Sequence, residues 1–190
     1  LPIYCNFNKF PEGNNFVDYI KGREMGQFME LNGGYLDINI FLRGGKIIPY
    51  QNSKDVSSTN DLRHRRTTLI INPDQNKKAS GNVIYDTDEI DSIEKKIYLH
   101  MMIEFNKDTL KFNIINLGRK NNSYEEDVIE DIILYRASEL NSAIFKSAEI
   151  YSYRDKPYRK ELIYDKEKDI LTISLIQMPI YLLSNIYFEF

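Results

Sequence analysis

The sequence predicts an all-β protein, and three observations carry that prediction. Tyr, Phe and Ile are used heavily while Trp is absent, with 14 tyrosines and 10 phenylalanines in 190 residues, a β-branched and aromatic bias that suits strands. Apolar residues recur with period two in one segment after another. Between these segments lie clusters of Gly, Asn, Asp and Pro of turn-forming type. No helix longer than about three turns is therefore expected.

Taken in order, Phe10-Pro11-Glu12-Gly13-Asn14-Asn15 is a turn and Phe16-Val17-Asp18-Tyr19-Ile20 a short strand closed by Lys21-Gly22. Gln27 to Leu31 is a further strand, and Asn32-Gly33-Gly34 a tight turn. The next stretch organises the rest. Leu36, Ile38, Ile40 and Leu42 alternate with Asp37, Asn39, Phe41 and Arg43, the signature of a strand with one face in a core. Gly44-Gly45 permits a sharp bend, and Lys46-Ile47-Ile48 starts a second strand that Pro49 limits. Arg43, at the bend, is expected to bury its head group against backbone carbonyls or a carboxylate.

Ser58 to Arg63 reads as a polar loop, Leu69-Ile70-Ile71 as a strand, Asp74 to Lys78 as a turn and Ala79 to Asp86 as a strand. Ile97, Leu99, Met101, Ile103 and Phe105 share one strand face, Asn106-Lys107-Asp108-Thr109 turns, and Leu110, Phe112 and Ile114 return as a hairpin partner. Asn121 to Asp127 is an acidic loop, and Val128 to Tyr135 is a strand by the company it keeps. Ala148 to Tyr153, Arg159 to Tyr164 and Ile170 to Gln177 follow as strands, with Asp165 to Asp169 as the hairpin turn between the last two, and Ile180 to Phe190 closes the chain.

Composition narrows the function classes. With 42% hydrophobic residues the chain can build a core, and its length suits one large or two small domains. The formal charge of −3, from 25 basic and 28 acidic residues, makes no field for nucleic acid or an anionic membrane, so no nucleic-acid partner is expected. Cys5 stands alone, which excludes an internal disulfide. His64 and His100 lack the paired spacing of a zinc site, so no metal and no cofactor is expected. There is no apolar run of about eighteen residues, hence no transmembrane segment, and Leu1-Pro2-Ile3-Tyr4 is not a signal peptide. A start at Leu1 rather than Met suggests a fragment or a processed piece.

The wording of three ordered segments goes beyond strand physics. Arg43-Gly44-Gly45-Lys46-Ile47-Ile48-Pro49-Tyr50-Gln51 resembles the R-G-G-x-I-x-P-x-Q segment of family 31 glycoside hydrolases, the α-glucosidase and sucrase-isomaltase family, in the first β-sandwich after their catalytic barrel. Upstream, Phe10 to Gly22 resembles that family's F-P-x-G-x-W-Y-D-Y-x-x-G, with Phe16 and Val17 in place of Trp and Tyr. Downstream, Ser58 to Glu89 resembles T-T-x-x-S-R … L-I-I-A-L-D … A-x-G-x-L-x-x-D-D-G-E, matching Thr59, Arg63, Leu69, Ile70, Ile71, Asp74, Ala79, Gly81, Asp86 and Glu89. Pro73 departs from the apolar residue usual there, and Asp86-Thr87-Asp88 replaces Asp-Asp-Gly. The second half resembles the family's distal β-sandwich in position and strand rhythm alone.

The resemblance implies two consecutive antiparallel β-sandwich domains, a proximal one over 1–89 and a distal one over 90–190. It implies a parent enzyme that hydrolyses α-glucosidic bonds with retention, and a secretory, lysosomal or extracellular location. Its motif residues here are Arg43, Gly44, Gly45, Pro49, Gln51, Arg63, Gly81 and Asp86. All are read as structural.

Glycoside hydrolysis needs two carboxyl groups flanking the bond. Asp86, Asp88 and Glu89 form one acidic cluster and Glu125, Glu126 and Asp127 another, both in polar loops where solvated charge is the ordinary reading. The family's nucleophile lies in a W-x-D-M-N-E strand of the barrel, and this sequence has neither Trp nor that motif. Phosphate loops and the G-x-S-x-G elbow are also missing from it. Arg63-His64-Arg65-Arg66 reads as a solvated loop, and Asn121-Asn122-Ser123 is a glycosylation sequon.

The leading reading is thus a non-catalytic C-terminal β-sandwich region, whose partner is the catalytic barrel of the parent in the same or a separate chain. Two alternatives stand beside it: a stand-alone carbohydrate-binding module, with carbohydrate as ligand, and an interaction protein without a barrel. A docked barrel would leave an apolar patch on this chain alone, expected at Phe41, Ile47, Ile48 and Tyr50 and bordered by Leu1 to Tyr4.

Overall fold

The computed structural model describes residues 4–6, 19–20, 41–63, 65–86, 93–118, 127–140, 144–174 and 176–189. The expected features at 7–18 and 21–40, His64, Asp88, Glu89, Asn121, Glu125 and Glu126 lie outside the described residues. Among those described, the fold is nearly all β, and the two α-helices, Thr59–Arg63 (α1) and Ala137–Leu140 (α2), are five and four residues long.

Three short strands, β1 (Tyr4–Asn6), β2 (Tyr19–Ile20) and β3 (Phe41–Arg43), form an antiparallel sheet in the order β2-β1-β3. Twelve others make one sheet. They are β4 (Lys46–Gln51), β5 (Thr67–Asn72), β6 (Lys78–Tyr85), β7 (Leu99–Asn106), β8 (Thr109–Leu117) and β9 (Val128–Tyr135), then β10 (Ser147–Ser152), β11 (Tyr158–Glu161), β12 (Ile163–Asp165), β13 (Ile170–Ile173), β14 (Met178–Pro179) and β15 (Leu183–Glu189). Their order is β11-β10-β15-β8-β7-β6-β4-β5-β9-β13-β12, with β14 also on β9. The end strands of this order, β11 and β12, are separated in sequence by Leu162 alone. That single-residue link draws the two sheet edges together, so the sheet curls nearly closed.

Two expectations are corrected by this topology. The sheet is mixed rather than antiparallel, because β4 meets β6 in parallel at Lys46 and Ser80, and β5 runs parallel to β9. Nor does it resolve into two consecutive sandwiches: β6 and β7, which flank Glu89, pair over eight residues from Lys78 and Asn106 to Tyr85 and Leu99. The expected strand Arg159 to Tyr164 is likewise divided, one part pairing with β10 and the other with β13. Closure of the sheet requires that division, and local periodicity carries no trace of it.

The core fills the concave side. Leu69 and Ile71 of β5, Met101, Ile103 and Phe105 of β7, Ile132 and Leu134 of β9, and Ile186 and Phe188 of β15 are buried in one cluster. Each large aliphatic or aromatic side chain contributes roughly 1.5–3 kcal/mol there by leaving water. A second, smaller cluster lies on the opposite face, where Leu42, Ile70, Tyr135 and Ile170 bury together with Tyr50 and Ile133 packed on them. Burial on both faces explains the unbroken apolar run Leu69-Ile70-Ile71, the pattern of a strand with parallel pairing inside a sheet.

Turns follow their residue chemistry. The Asp74 carboxylate accepts the amides of Asn76 and Lys78 at 2.8 and 2.9 Å, and Asp165 does the same for Glu167 and Lys168 at 3.0 and 3.1 Å. These amides hold the Asp165 carboxyl below the usual carboxylate range, with the Lys168 amide the largest influence. Ser58 caps α1: its hydroxyl accepts the Asp61 amide and donates to the Asp61 carboxylate.

Candidate functional site

The bend after β3 is the point where four strands are fastened together. Gly45 takes a φ of +78°, which favours glycine. Its amide donates to the Asn72 carbonyl at 2.7 Å and its carbonyl accepts the Ser80 amide at 3.1 Å. Thus one residue ties the start of β4 to the end of β5 and the start of β6. Buried Asn72 adds a side-chain donation to the Leu42 carbonyl at 3.2 Å, reaching back to β3.

Gly81 serves the same junction by a different means. A Cβ there would lie 2.1 Å from the Ile47 carbonyl oxygen and 2.9 Å from the Ile47 Cβ, so only a residue without a side chain lets β4 and β6 cross this closely. Gln51 closes the other end of β4, where its amide nitrogen donates to the Arg65 carbonyl at 2.7 Å. Pro49 sits exposed in β4 opposite Leu69, beyond the Lys46 to Ser80 contact with β6, where the ladder does not require its missing N–H.

Arg43 corrects the expectation made for it. Its side chain is exposed, because Leu42 takes the inward position of this short strand and the next residue must face out. The apolar patch expected beyond the bend is also revised. Ile47 is 4% exposed inside the main core, Tyr50 packs on the second cluster, and Ile48 alone of the three is open to solvent, at 43%. Alternation along β4 separates these side chains onto opposite faces. The side chains of Phe41 and Arg63 lie outside the described residues, although Arg63 is the last residue of α1.

Asp86 follows β6 half-buried, beside a polar pair that sequence reasoning missed. The Tyr85 hydroxyl lies 2.6 Å from the Thr67 hydroxyl, joining the ends of β6 and β5. Burial pushes the Tyr85 pKa up to about 12, with the negative charge of buried Asp127 adding to the rise and the Thr67 hydrogen bond opposing it. His100 is accounted for by Asn82, whose side-chain oxygen is 3.0 Å from its Nε2. Among the described residues, no group of three His, Cys, Asp or Glu side chains could hold a metal, and no helix is long and apolar enough to cross a membrane.

An open cleft of about 620 Å³ adjoins the bend, floored by the first residues of β6, the β7–β8 turn and Glu104. Lys78, Lys107 and Lys111 face Asp74, Glu104 and Asp108 around it. Nothing in the motif residues announced this cleft: it forms where turns distant in sequence converge, with the Lys107 amide donating to the Lys77 carbonyl at 2.8 Å.

No family profile matches the chain. Human intestinal sucrase-isomaltase is 32% identical over 126 residues, which is 64% of this chain and 7% of that protein. A probable alpha/beta-glucosidase agdC of Aspergillus flavus is 37% identical over 73 residues, 38% of this chain and 8% of that one. The chain therefore spans less than a tenth of the length of these relatives. Among solved structures, the ER glucosidase II heterodimeric complex of catalytic subunit and regulatory binding domain superposes with a TM-score of 0.69 at 18% identity, covering 99% of this chain and 20% of that one. In sequence, therefore, the chain is related to the family 31 glycoside hydrolases of α-glucosidase type, and its fold is that of part of a glucosidase II chain.

Proposed function

We propose that this chain is the non-catalytic β-region that follows the barrel in a family 31 α-glucosidase-like enzyme, with 1–89 as its proximal part and 90–190 as its distal part. The parent would hydrolyse α-glucosidic bonds, and this region would support the barrel rather than perform the chemistry. The single observation that carries the reading is the lopsided coverage: nearly all of this chain superposes on one fifth of a glucosidase II chain. The internal construction agrees with it. Gly45 and Gly81 sit at close backbone junctions between strands, and the Gln51 side chain ties β4 to the Arg65 carbonyl, which supports an architectural role for these motif residues.

The reading is tested by sequencing the native transcript. A barrel encoded upstream in frame, with a W-x-D-M-N-E segment, is the expected result. A transcript that encodes only this β-region would overturn it.

A further inference from the structure

The cleft beside the Gly45 bend is matched in one direction only. Its three lysines and three carboxylates cancel in formal charge, so it offers no net field to a polyanion or a polycation. It offers donors and acceptors in alternation instead. The carboxylates are oriented by the protein itself: Asp74 by the Asn76 and Lys78 amides, Asp108 by the Thr109 hydroxyl at 3.0 Å, and Glu104 by the Asn113 amide at 3.0 Å. Such fixed polar groups lower the ordering cost of binding a ligand rich in hydroxyls.

An exposed aromatic ring stands on the strand next to them. Tyr187 of β15 is the cross-strand partner of Thr109, and Asn185 is the partner of Lys111, so the outward face of β15 adjoins the cleft at two of its lining residues. Tyr187 is 41% exposed, and its ring is braced by the perpendicular ring of Tyr151, with centroids 5.3 Å apart at 84°. The Tyr151 hydroxyl is itself anchored on Glu149 at 3.0 Å. An exposed, braced tyrosine ring beside a charge-balanced set of donors and acceptors fits the alternating apolar faces and hydroxyl edges of a pyranose.

From this convergence we propose that the cleft, together with Tyr187 on the strand beside it, is a non-catalytic binding site for a neutral glycan. The site stands on its own geometry. Only the choice of an α-glucan as first probe rests on the function proposed above.

The test titrates the full chain by calorimetry with maltoheptaose, with cellohexaose as a β-linked comparator and a heparin hexasaccharide as a charged one. Maltoheptaose binding is expected to weaken at least about fivefold in Tyr187→Ala, the scale of one lost aromatic contact, and to weaken also in Lys111→Ala. Tyr153→Ala, at an exposed tyrosine that, unlike Tyr187, is not the cross-strand partner of a residue lining the cleft, should leave it unchanged. Thermal midpoints of the variants show whether folding is preserved; both substituted side chains are solvent-exposed. Binding of cellohexaose alone, lost in the same two variants, would keep the site and count against the α-glucosidase reading. Preference for the heparin fragment, no binding of either neutral glycan, or binding that survives both Tyr187→Ala and Lys111→Ala would overturn the proposal.

Discussion

Gly81 and Gly45 are glycines for different reasons, and substitution should separate them. At Gly81 a methyl group would meet the Ile47 carbonyl at 2.1 Å, so Gly81→Ala must force β4 and β6 apart. A loss of about 2–4 kcal/mol is expected, read as a fall in the urea midpoint. At Gly45 a Cβ has ordinary room, 3.5 Å from the Asp74 Cβ, and the cost comes from the left-handed backbone, about 1 kcal/mol for Gly45→Ala. Equal losses at the two positions would contradict this division. Tyr85 gives a prediction in pH. Its neutral form is favoured in the folded state, so between pH 10 and about 12 the unfolded chain gives up the proton first and stability declines as pH rises through that window. Below pH 10 the contribution is complete. Urea midpoints at a series of alkaline pH values should fall more steeply for the native chain than for Tyr85→Phe, and parallel slopes would refute the assignment.

The turn before β13 shows how one side chain can serve a whole element. Asp169, itself at a φ of 53°, accepts the Ser138 amide at 2.9 Å, the Ser138 hydroxyl at 2.7 Å and the Tyr164 hydroxyl at 3.0 Å, while its carbonyl accepts the Arg136 amide at 2.8 Å. It thereby joins the start of α2 to the β12–β13 hairpin. Asp169→Ala is expected to cost about 2 kcal/mol, through the orphaned donors and the left-handed backbone together, and Asp169→Asn should recover part of it. Chemical denaturation of the two variants checks this, and an Ala variant as stable as the native chain would show the cross-link to be idle. The central strand offers a sharper contrast. Leu69→Ala, in the main core, should lose about 2–5 kcal/mol, whereas Ile48→Ala, in the neighbouring strand but 43% exposed, should lose much less.

For the molecule as a whole, long-range pairing dominates. β5 pairs with β9 and β10 with β15, so much of the sheet closes only after distant segments meet, and folding in milliseconds to seconds is expected rather than faster. Activity provides the decisive comparison at this scale. The chain alone is expected to leave maltose and aryl α-glucosides unhydrolysed, since the proposed parent keeps its proton donor and nucleophile in the barrel. A spectrophotometric assay with an aryl α-glucoside checks it, and turnover abolished by Asp86→Asn would assign chemistry to a residue read here as structural.

Period two along Leu99–Asn106 and the turn at Asp165 were readable because a strand with one buried face and an Asx turn each depend on residues adjacent in sequence. The Gly44-Gly45 bend was readable for the same reason. Arg43 and Ile47 were misread because which face of a short strand points inward depends on what packs there, and that is set by β5 and β6 rather than by the strand itself. The split at Leu162, the parallel crossing that makes Gly81 obligatory, and the cleft between Asp74 and Asp108 belong wholly to tertiary structure. Each is created by segments far apart in the chain coming within hydrogen-bond distance. Composition and periodicity therefore determined that this protein is made of strands and where most of them lie, while the closing of the sheet decided which strands became neighbours.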